Sequence, residues 1–279
     1  MFLYCYFWML ACLLAASSAK LGNINFYDLE LSLLSNAVSQ TSHKIDLQDY
    51  SATYVKTVEG SVKLYRPKIF RTIRDKLRIS DQDVINNLRP DHLICVIPES
   101  KSGQRFWVSE DGLIVLKTIK QYECKTLQSM LDSYKDHVVQ NDHSVIASVL
   151  GVYRVKLPGQ FFSKYYLLSR NAFPMLGQPG SYIHAKYDLK GSTQGRLSTA
   201  KSSVKKDVDF TLSGRRLQLG GSTPLFLRVL DGDLSFLQRH GVMDYSLLVS
   251  VERNPSLHAD RFPPGRHFPP FGSSLAADR

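Results

Sequence analysis

The spacing of apolar positions predicts three helices in the first third of the chain. Across residues 26–38 the apolar side chains recur every three or four positions, as on one face of an amphipathic helix. Pro67 opens a second helix, and Ser80 is typical of the cap before a third at residues 84–88. The polar segment 41–60 predicts an irregular connection. The second helix buries Ile69, Phe70, Ile73 and Leu77, and we expect its opposite face to be solvated, with Arg71, Arg74, Lys76 and Arg78.

The middle of the chain predicts an antiparallel sheet. Asp111-Gly112 and Pro158-Gly159 mark tight turns between short apolar runs, and the spacing at 123–139 predicts one continuous helix. The predicted strands are 93–98, 106–109, 113–119, 145–155 and 165–169. A sheet of this kind with helices on one face gives an α+β lobe.

After residue 170 the pattern changes. Segment 171–181 is rich in proline and glycine and predicts a hinge between two lobes. A helix at 224–238 and an extended run at 245–251 follow. The proline-rich segment 253–279 has no periodicity and is predicted to be disordered.

Residues 1–20 form a hydrophobic leader, because the first nineteen residues contain no charge. A secretory signal peptide, a membrane anchor and the clipped end of a longer membrane segment all fit this composition. The small residues at 17–19 fit a signal peptide, but the usual positive start is missing. We favour the anchor, or a fragment of one.

Charge indicates an anionic partner. The 279-residue chain has a formal net charge of +10, which favours a nucleic acid, a membrane surface or a phosphorylated substrate. Its hydrophobic content of 43% argues against global disorder. The four cysteines lack the spacing of a zinc site.

One stretch, residues 187–196, concentrates the candidate chemistry. It reads Tyr-Asp-Leu-Lys-Gly-Ser-Thr, then Gln-Gly-Arg, and such a turn offers backbone N–H groups and positive charge to a phosphate. Two further stretches, Lys-Ser-Gly-Gln-Arg-Phe at 101–106 and Val-Met-Asp-Tyr-Ser-Leu-Leu-Val at 242–249, accompany it in the same order. Together they resemble the phosphatidylinositol phosphate kinases, over residues 26–251.

The resemblance implies a fold and an activity. We expect a two-lobed α+β lipid-kinase fold with antiparallel sheets flanked by helices, in a domain spanning 26–252, with an N-lobe at 26–170 and a partial C-lobe at 171–252. The implied reaction moves the γ-phosphate of ATP to a phosphatidylinositol phosphate, and family frequency favours the 4-phosphate as substrate and the 4,5-bisphosphate as product. The implied cofactors are ATP and Mg²⁺, and the implied partners are phosphoinositide lipid and an anionic membrane surface at its cytoplasmic face. Nucleic acid is not an expected partner, and a homodimer stays open.

The resemblance also assigns roles to residues. Asp244 would orient or deprotonate the attacking lipid hydroxyl, and Lys117 would contact the ATP phosphates. Lys190 and Arg196 would hold the headgroup phosphate. The remaining assignments, to nucleotide binding, are Ser102, Gly103 and Asn171. Either Glu123 or Asp136 could pair with Lys117.

One departure from the family qualifies these roles. In the family, a later strand ends in Ile-Ile-Asp, whose aspartate holds the metal, and no such motif follows Val251 here. The metal ligands are therefore unknown, and we expect the chain to end before that motif. The alternative is a catalytically inactive or fragmentary domain that binds anionic lipid as a scaffold.

Overall fold

Two β-sheets, of seven and four strands, organise the part of the chain that the structure describes. The structure is a computed structural model, and it describes residues 5–9, 26–42, 52–96, 104–173, 182–200 and 202–253. The seven-stranded sheet belongs to a unit formed by 12–139 and 148–174. The four-stranded sheet belongs to a unit formed by 1–11, 140–147 and 175–279.

The elements are numbered in chain order. The strands are β1 (Cys5–Met9), β2 (Ala52–Thr57), β3 (Gly60–Tyr65), β4 (Leu93–Val96), β5 (Phe106–Ser109), β6 (Ile114–Ile119), β7 (Val149–Lys156), β8 (Lys164–Arg170), β9 (Tyr182–Leu189), β10 (Val204–Lys205) and β11 (Tyr245–Arg253). The helices are α1 (Phe26–Ser42), α2 (Pro67–Lys76), α3 (Asp81–Asn87), α4 (Gln121–Ser129), α5 (Leu131–Gln140), α6 (Asp207–Leu212) and α7 (Thr223–Arg239). Short 3₁₀ helices lie at Pro90–His92 and Gly220–Ser222.

The seven-stranded sheet is antiparallel throughout, in the order β2-β3-β7-β8-β6-β5-β4. Side chains alternate between its faces, so Leu116 and Lys117 on β6 point in opposite directions. Leu116 joins the main core with Leu34 of α1 and Val84 of α3. Lys117 lies opposite Phe106, which belongs to a second and smaller apolar cluster. The sheet therefore presents Lys117 on the face away from α1.

The four-stranded sheet has the order β1-β11-β9-β10. Strands β9 and β11 are antiparallel with Leu189 opposite Leu247, and β10 runs parallel to β9. Strand β1, which comes from the predicted leader, pairs with β11. The rest of the leader lies outside the described residues, as does segment 254–279, for which disorder is predicted. The three interpretations of the leader stay predictions.

None of the helices in the described ranges combines the length and the apolar character needed to cross a bilayer.

The α+β prediction is confirmed, and two predictions of secondary structure are wrong. Segment 41–60 was expected to be irregular but contains β2, an edge strand with no buried residue, whose apolar pattern is accordingly weak. The helix expected at 123–139 is divided into α4 and α5 at Met130, where the backbone angles leave the helical region. The apolar spacing continues across this break, so the pattern could not reveal it. The predicted hinge falls mostly outside the described residues, since 174–181 are not described.

The predicted solvated face of α2 also needs correction, because Arg74 is buried. Its guanidinium donates to the carbonyl of Leu150 at 2.9 Å and to Asp81 at 2.5 Å. Burial alone would raise the pKa of Asp81, but hydrogen bonds from Arg71 and Arg74 outweigh it and lower that pKa. This cluster links α2, the start of α3 and β7.

Candidate functional site

The pairing of β9 with β11 brings two candidate residues together in the four-stranded unit. Lys190 follows β9, and Asp244 precedes β11. Because the strands are antiparallel and Leu189 faces Leu247, the residue after β9 comes close to the start of β11. The Lys190 Nζ forms an ion pair with the Asp244 carboxylate. Two motifs that are 54 residues apart in the sequence therefore form one constellation.

Asp244 has an exposed carboxylate and an unusual backbone. The sequence suggested a carboxylate that is costly to bury within an apolar run, but its side chain is 58% exposed and neighbouring Met243 is exposed as well. Its φ of 63° lies in the left-handed region, where few residues other than glycine are found. Such conformations persist where the surrounding structure enforces them, and they cluster at functional sites.

Asp207 holds the turn that carries Lys190. Its Oδ1 accepts hydrogen bonds from the backbone N–H groups of Lys190 and Gly191, each at 2.8 Å. Its Oδ2 accepts one from the Nε of Arg196 at 2.7 Å. Burial alone would raise the pKa of Asp207, but these three donors outweigh it and lower the pKa. The turn is therefore fixed by an ionised carboxylate from the first residue of α6.

Arg196 shapes this turn from the other side. Besides Asp207, its guanidinium contacts the Asp188 carbonyl at 2.5 Å and the Asp188 carboxylate at 3.3 Å. It is largely buried between these two acids. Its contacts in the structure are thus structural, and direct binding of a headgroup phosphate by Arg196 stays a prediction.

Two acidic residues at the start of α6 received no role from the sequence. Asp207 is described above, and Asp209 accepts hydrogen bonds from the N–H groups of Ser198 and Lys206 at 2.9 and 3.0 Å. Acidic residues are typical of the first turn of a helix. Asp207 and Asp209 could therefore have been recognised as helix-start residues if a helix had been predicted here. Helix α6 has six residues, which are too few for the spacing of apolar positions to predict a helix.

In the seven-stranded unit, Lys117 is buried, with 2% of its surface exposed. Its Nζ lies 6.0 Å from the centroid of the Phe106 ring. A charged ammonium at such a position is costly unless an anion or a ring face compensates it. This placement is compatible with the predicted contact to ATP phosphates, which stays a prediction.

The two carboxylates proposed to accompany Lys117 differ in burial and in their partners. Glu123 is buried at the start of α4, where its Oε2 accepts from the Lys120 N–H at 2.6 Å and from the Gln104 amide at 3.2 Å. Asp136 is exposed and forms an ion pair with adjacent Lys135. Gln104 directly follows the nucleotide candidates Ser102 and Gly103 in the sequence, and Glu123 holds it to the start of α4.

The structure describes one of the other three residues predicted to bind the nucleotide, Asn171. Asn171 is buried, and its amide nitrogen donates to the Gly112 carbonyl at 2.7 Å while its Oδ1 accepts from the Phe173 N–H at 3.0 Å. It therefore fastens the β5–β6 turn, and its nucleotide contact stays a prediction. Ser102 and Gly103 lie outside the described residues.

The described ranges contain no group of three or more His, Cys, Asp or Glu side chains that could hold a metal ion. The carboxylates nearest to Lys190 are instead occupied by lysine, arginine and backbone donors. These residues do not supply the oxygen ligands that magnesium requires.

The structure thus groups the predicted residues by unit. Lys190, Arg196 and Asp244 belong to the four-stranded unit, and Lys117 and Asn171 belong to the seven-stranded unit. Within the first group, Lys190 and Asp244 are in direct contact, and Arg196 is tied to the same turn through Asp207.

Comparisons with known proteins match this reading of the motifs. Residues 89–267 match the family model described as Phosphatidylinositol-4-phosphate 5-Kinase. Over 196 residues, or 68% of the chain, the sequence is 33% identical to phosphatidylinositol 5-phosphate 4-kinase type-2 beta from Rattus norvegicus and from Homo sapiens. It is also 33% identical, over the same length, to the type-2 alpha protein from Rattus norvegicus. The matched part spans just under half the length of these relatives, at 46 to 47%.

Proposed function

The chain belongs to the phosphatidylinositol phosphate kinase family, and from this premise we propose that it transfers the γ-phosphate of ATP to a phosphatidylinositol phosphate. The observation that supports this most is the Lys190–Asp244 pair at the open end of β9 and β11. It combines an exposed carboxylate with a lysine whose turn is held in place by Asp207.

The pair suits phosphoryl transfer to an alcohol. An exposed aspartate can orient the attacking hydroxyl of an inositol ring and accept its proton. The Lys190 ammonium has three N–H donors, so it can hold Asp244 and a headgroup phosphate at the same time. The turn held by Asp207 keeps both groups in position, and positioning with charge compensation is the main task of the protein in this reaction.

We assign the nucleotide to Lys117. A buried lysine on the central part of a sheet provides positive charge at low solvent exposure, where its attraction to phosphate oxygens is strongest. The contact between Glu123 and Gln104 would support the nucleotide candidates Ser102 and Gly103, which directly precede Gln104 in the sequence. ATP is therefore the proposed phosphate donor.

The lipid substrate has two candidates that share one product. The relatives described above are named as 4-kinases of phosphatidylinositol 5-phosphate, so we propose this lipid first. The description of the family model favours the sequence-based expectation, phosphatidylinositol 4-phosphate. Either route gives the 4,5-bisphosphate, formed at the cytoplasmic face of a membrane, where ATP is available.

The test is phosphate transfer from labelled ATP to vesicles that contain each lipid in turn. Asp244→Asn should lower transfer by about 100-fold or more, because a positioned base contributes on that scale. Asparagine preserves the shape and tolerates the left-handed backbone. Asp231→Asn, an exposed aspartate on α7, is the matched control and should retain full transfer. Equal rates for Asp244→Asn and the control would refute the role of Asp244.

A lipid-binding scaffold without activity is the second candidate. It is favoured by the lack of a three-ligand metal group in the described ranges. In that case wild-type chain would transfer no phosphate, yet would sediment with phosphoinositide vesicles. Lys190→Ala combined with Arg196→Ala should weaken that sedimentation, and unchanged sedimentation would remove the binding role of this turn.

A further inference from the structure

Two adjacent phenylalanines are almost completely exposed at the turn between β7 and β8. Phe161 is 93% exposed and Phe162 is 85% exposed. Neither ring appears among the aromatic contacts of the described residues, and nothing in the proposed reaction uses them. Large apolar side chains with this exposure carry a cost in water unless another phase or partner covers them.

Strand register places a third exposed apolar residue beside them. Val58, which is 96% exposed, lies at the turn between β2 and β3. Ser61 on β3 pairs with Lys156 on β7, so this turn emerges at the same end of the sheet as the β7–β8 turn. The backbones meet there, since a Cβ on Gly60 would lie 2.6 Å from the Lys156 carbonyl. We call Val58, Phe161 and Phe162 the apolar tip.

The surroundings of the apolar tip are basic. Lys56, Lys120 and Lys156 are exposed at this end of the sheet, where β2, β6 and β7 finish. Lys164 adds a further cation, although it is paired with buried Glu30. The exposed carboxylate at these two turns is Glu59.

We propose that the apolar tip inserts into the interfacial region of an anionic lipid bilayer. The tip consists of hairpin turns, whose residues project beyond the sheet, and its rings carry no polar atom that would need a partner in lipid. The flanking lysines would remain at the level of the anionic headgroups, with their stems along the apolar boundary. A second copy of the chain is a poorer occupant, because it would bring two sets of lysines together.

This inference goes beyond the proposed kinase reaction and does not require it. The bilayer contact lies in the seven-stranded unit, whereas the Lys190–Asp244 pair lies in the other unit. Binding can therefore be measured on vesicles that contain neither phosphoinositide nor ATP, and loss of catalysis leaves the measurement intact.

The experiment is sedimentation of the full chain with phosphatidylcholine vesicles that contain phosphatidylserine. Phe161→Ser combined with Phe162→Ser should lower partitioning by about tenfold or more, because each ring buries a large apolar area. Leu113→Ser is the matched control: this half-exposed leucine lies at the β5–β6 turn, at the opposite end of the same sheet, and should partition like wild type. Equal partitioning of the double variant and wild type would overturn the proposal.

A second measurement follows insertion directly. Phe161→Trp should give tryptophan fluorescence that shifts to the blue on vesicle addition and is quenched by brominated lipid. Both signals are compared with wild type, whose Trp8 and Trp107 give the background, and Leu113→Trp should add neither change to it. If the Phe161→Trp signal is unaffected by brominated lipid, or if the double serine variant instead abolishes self-association measured by sedimentation equilibrium, the bilayer is not the occupant.

Discussion

At the scale of single residues, the candidate site depends on how a few charges are paired. Arg196 lies between Asp188 and Asp207, and Asp207 in turn holds the N–H groups of the turn that carries Lys190. Arg196 was expected to bind phosphate. In the structure it instead helps to fix the turn of Lys190, which binds the phosphate in our proposal. The same is true of Asn171, whose amide is engaged by the backbone of two neighbouring segments.

We predict that Arg196→Ala destabilises the fold by about 2 kcal/mol or more, because it leaves two poorly solvated carboxylates without their shared cation. Urea unfolding followed by circular dichroism measures this change. Arg216→Ala removes an exposed arginine from the same segment and should change stability by less than about 0.5 kcal/mol. Similar values for both variants would contradict the structural role of Arg196.

Acid should release the Asp207 contacts. The folded-state pKa of Asp207 is lowered, so its contribution to stability is fully present above its unfolded-state pKa and is lost as the pH falls through the folded-state pKa. We expect wild-type stability to fall more steeply below pH about 4 than that of Asp207→Asn, which has no such proton to bind. Parallel pH profiles of the two proteins, measured by thermal unfolding, would argue against this linkage.

At the scale of elements, α1 is attached to the seven-stranded sheet by a buried acid as well as by its apolar face. Glu30 is 1% exposed, and its carboxylate accepts from the Tyr166 hydroxyl at 2.5 Å and pairs with Lys164 at 2.9 Å. Burial, reinforced by the negative charge of Glu30, raises the pKa of Tyr166, so this hydroxyl stays a donor. Apolar spacing predicted the helix, but it gave no sign of this attachment.

We expect Glu30→Ala to lower the free energy of unfolding by about 3 kcal/mol, because a buried hydroxyl and a cation lose their acceptor. Asn36→Ala alters an exposed position of the same helix and serves as the control. Thermal unfolding of the two variants provides the comparison. A loss below about 1 kcal/mol for Glu30→Ala would show that α1 is held by its apolar contacts alone.

At the scale of the whole molecule, the sequence predicts what is local and misses what depends on register. Most helices, the strands flanked by clear turns and the residue 187–196 motif follow from spacing and residue type. The meeting of Lys190 with Asp244, the burial of Arg74 and the left-handed backbone of Asp244 depend on contacts between distant segments. The edge strand β2 was missed for a different reason: it has no buried residue, and its sequence is too polar for an alternating apolar pattern to be recognised.

The formal charge of +10 on the 279 residues leads to a prediction about salt dependence. Binding to vesicles that contain phosphatidylserine should weaken strongly as potassium chloride is raised, because salt screens exposed charges over distances of about 10 Å at 0.1 M. Phosphatidylcholine vesicles are the control and should show a weak dependence on salt. Binding to anionic vesicles that does not change between low and high salt would show that charge contributes little.

The antiparallel pairing of β9 and β11 has a consequence for sequence variation. Because the pairing of β9 with β11 brings Lys190 near Asp244, the number of residues between the two motifs does not set the distance between their side chains. Insertions and deletions in the surface segments between them are therefore tolerable, whereas a one-residue shift within either strand is not, since it would turn the side chains to the other face. Relatives should differ freely in the length of this interval while both strands keep their alignment without gaps.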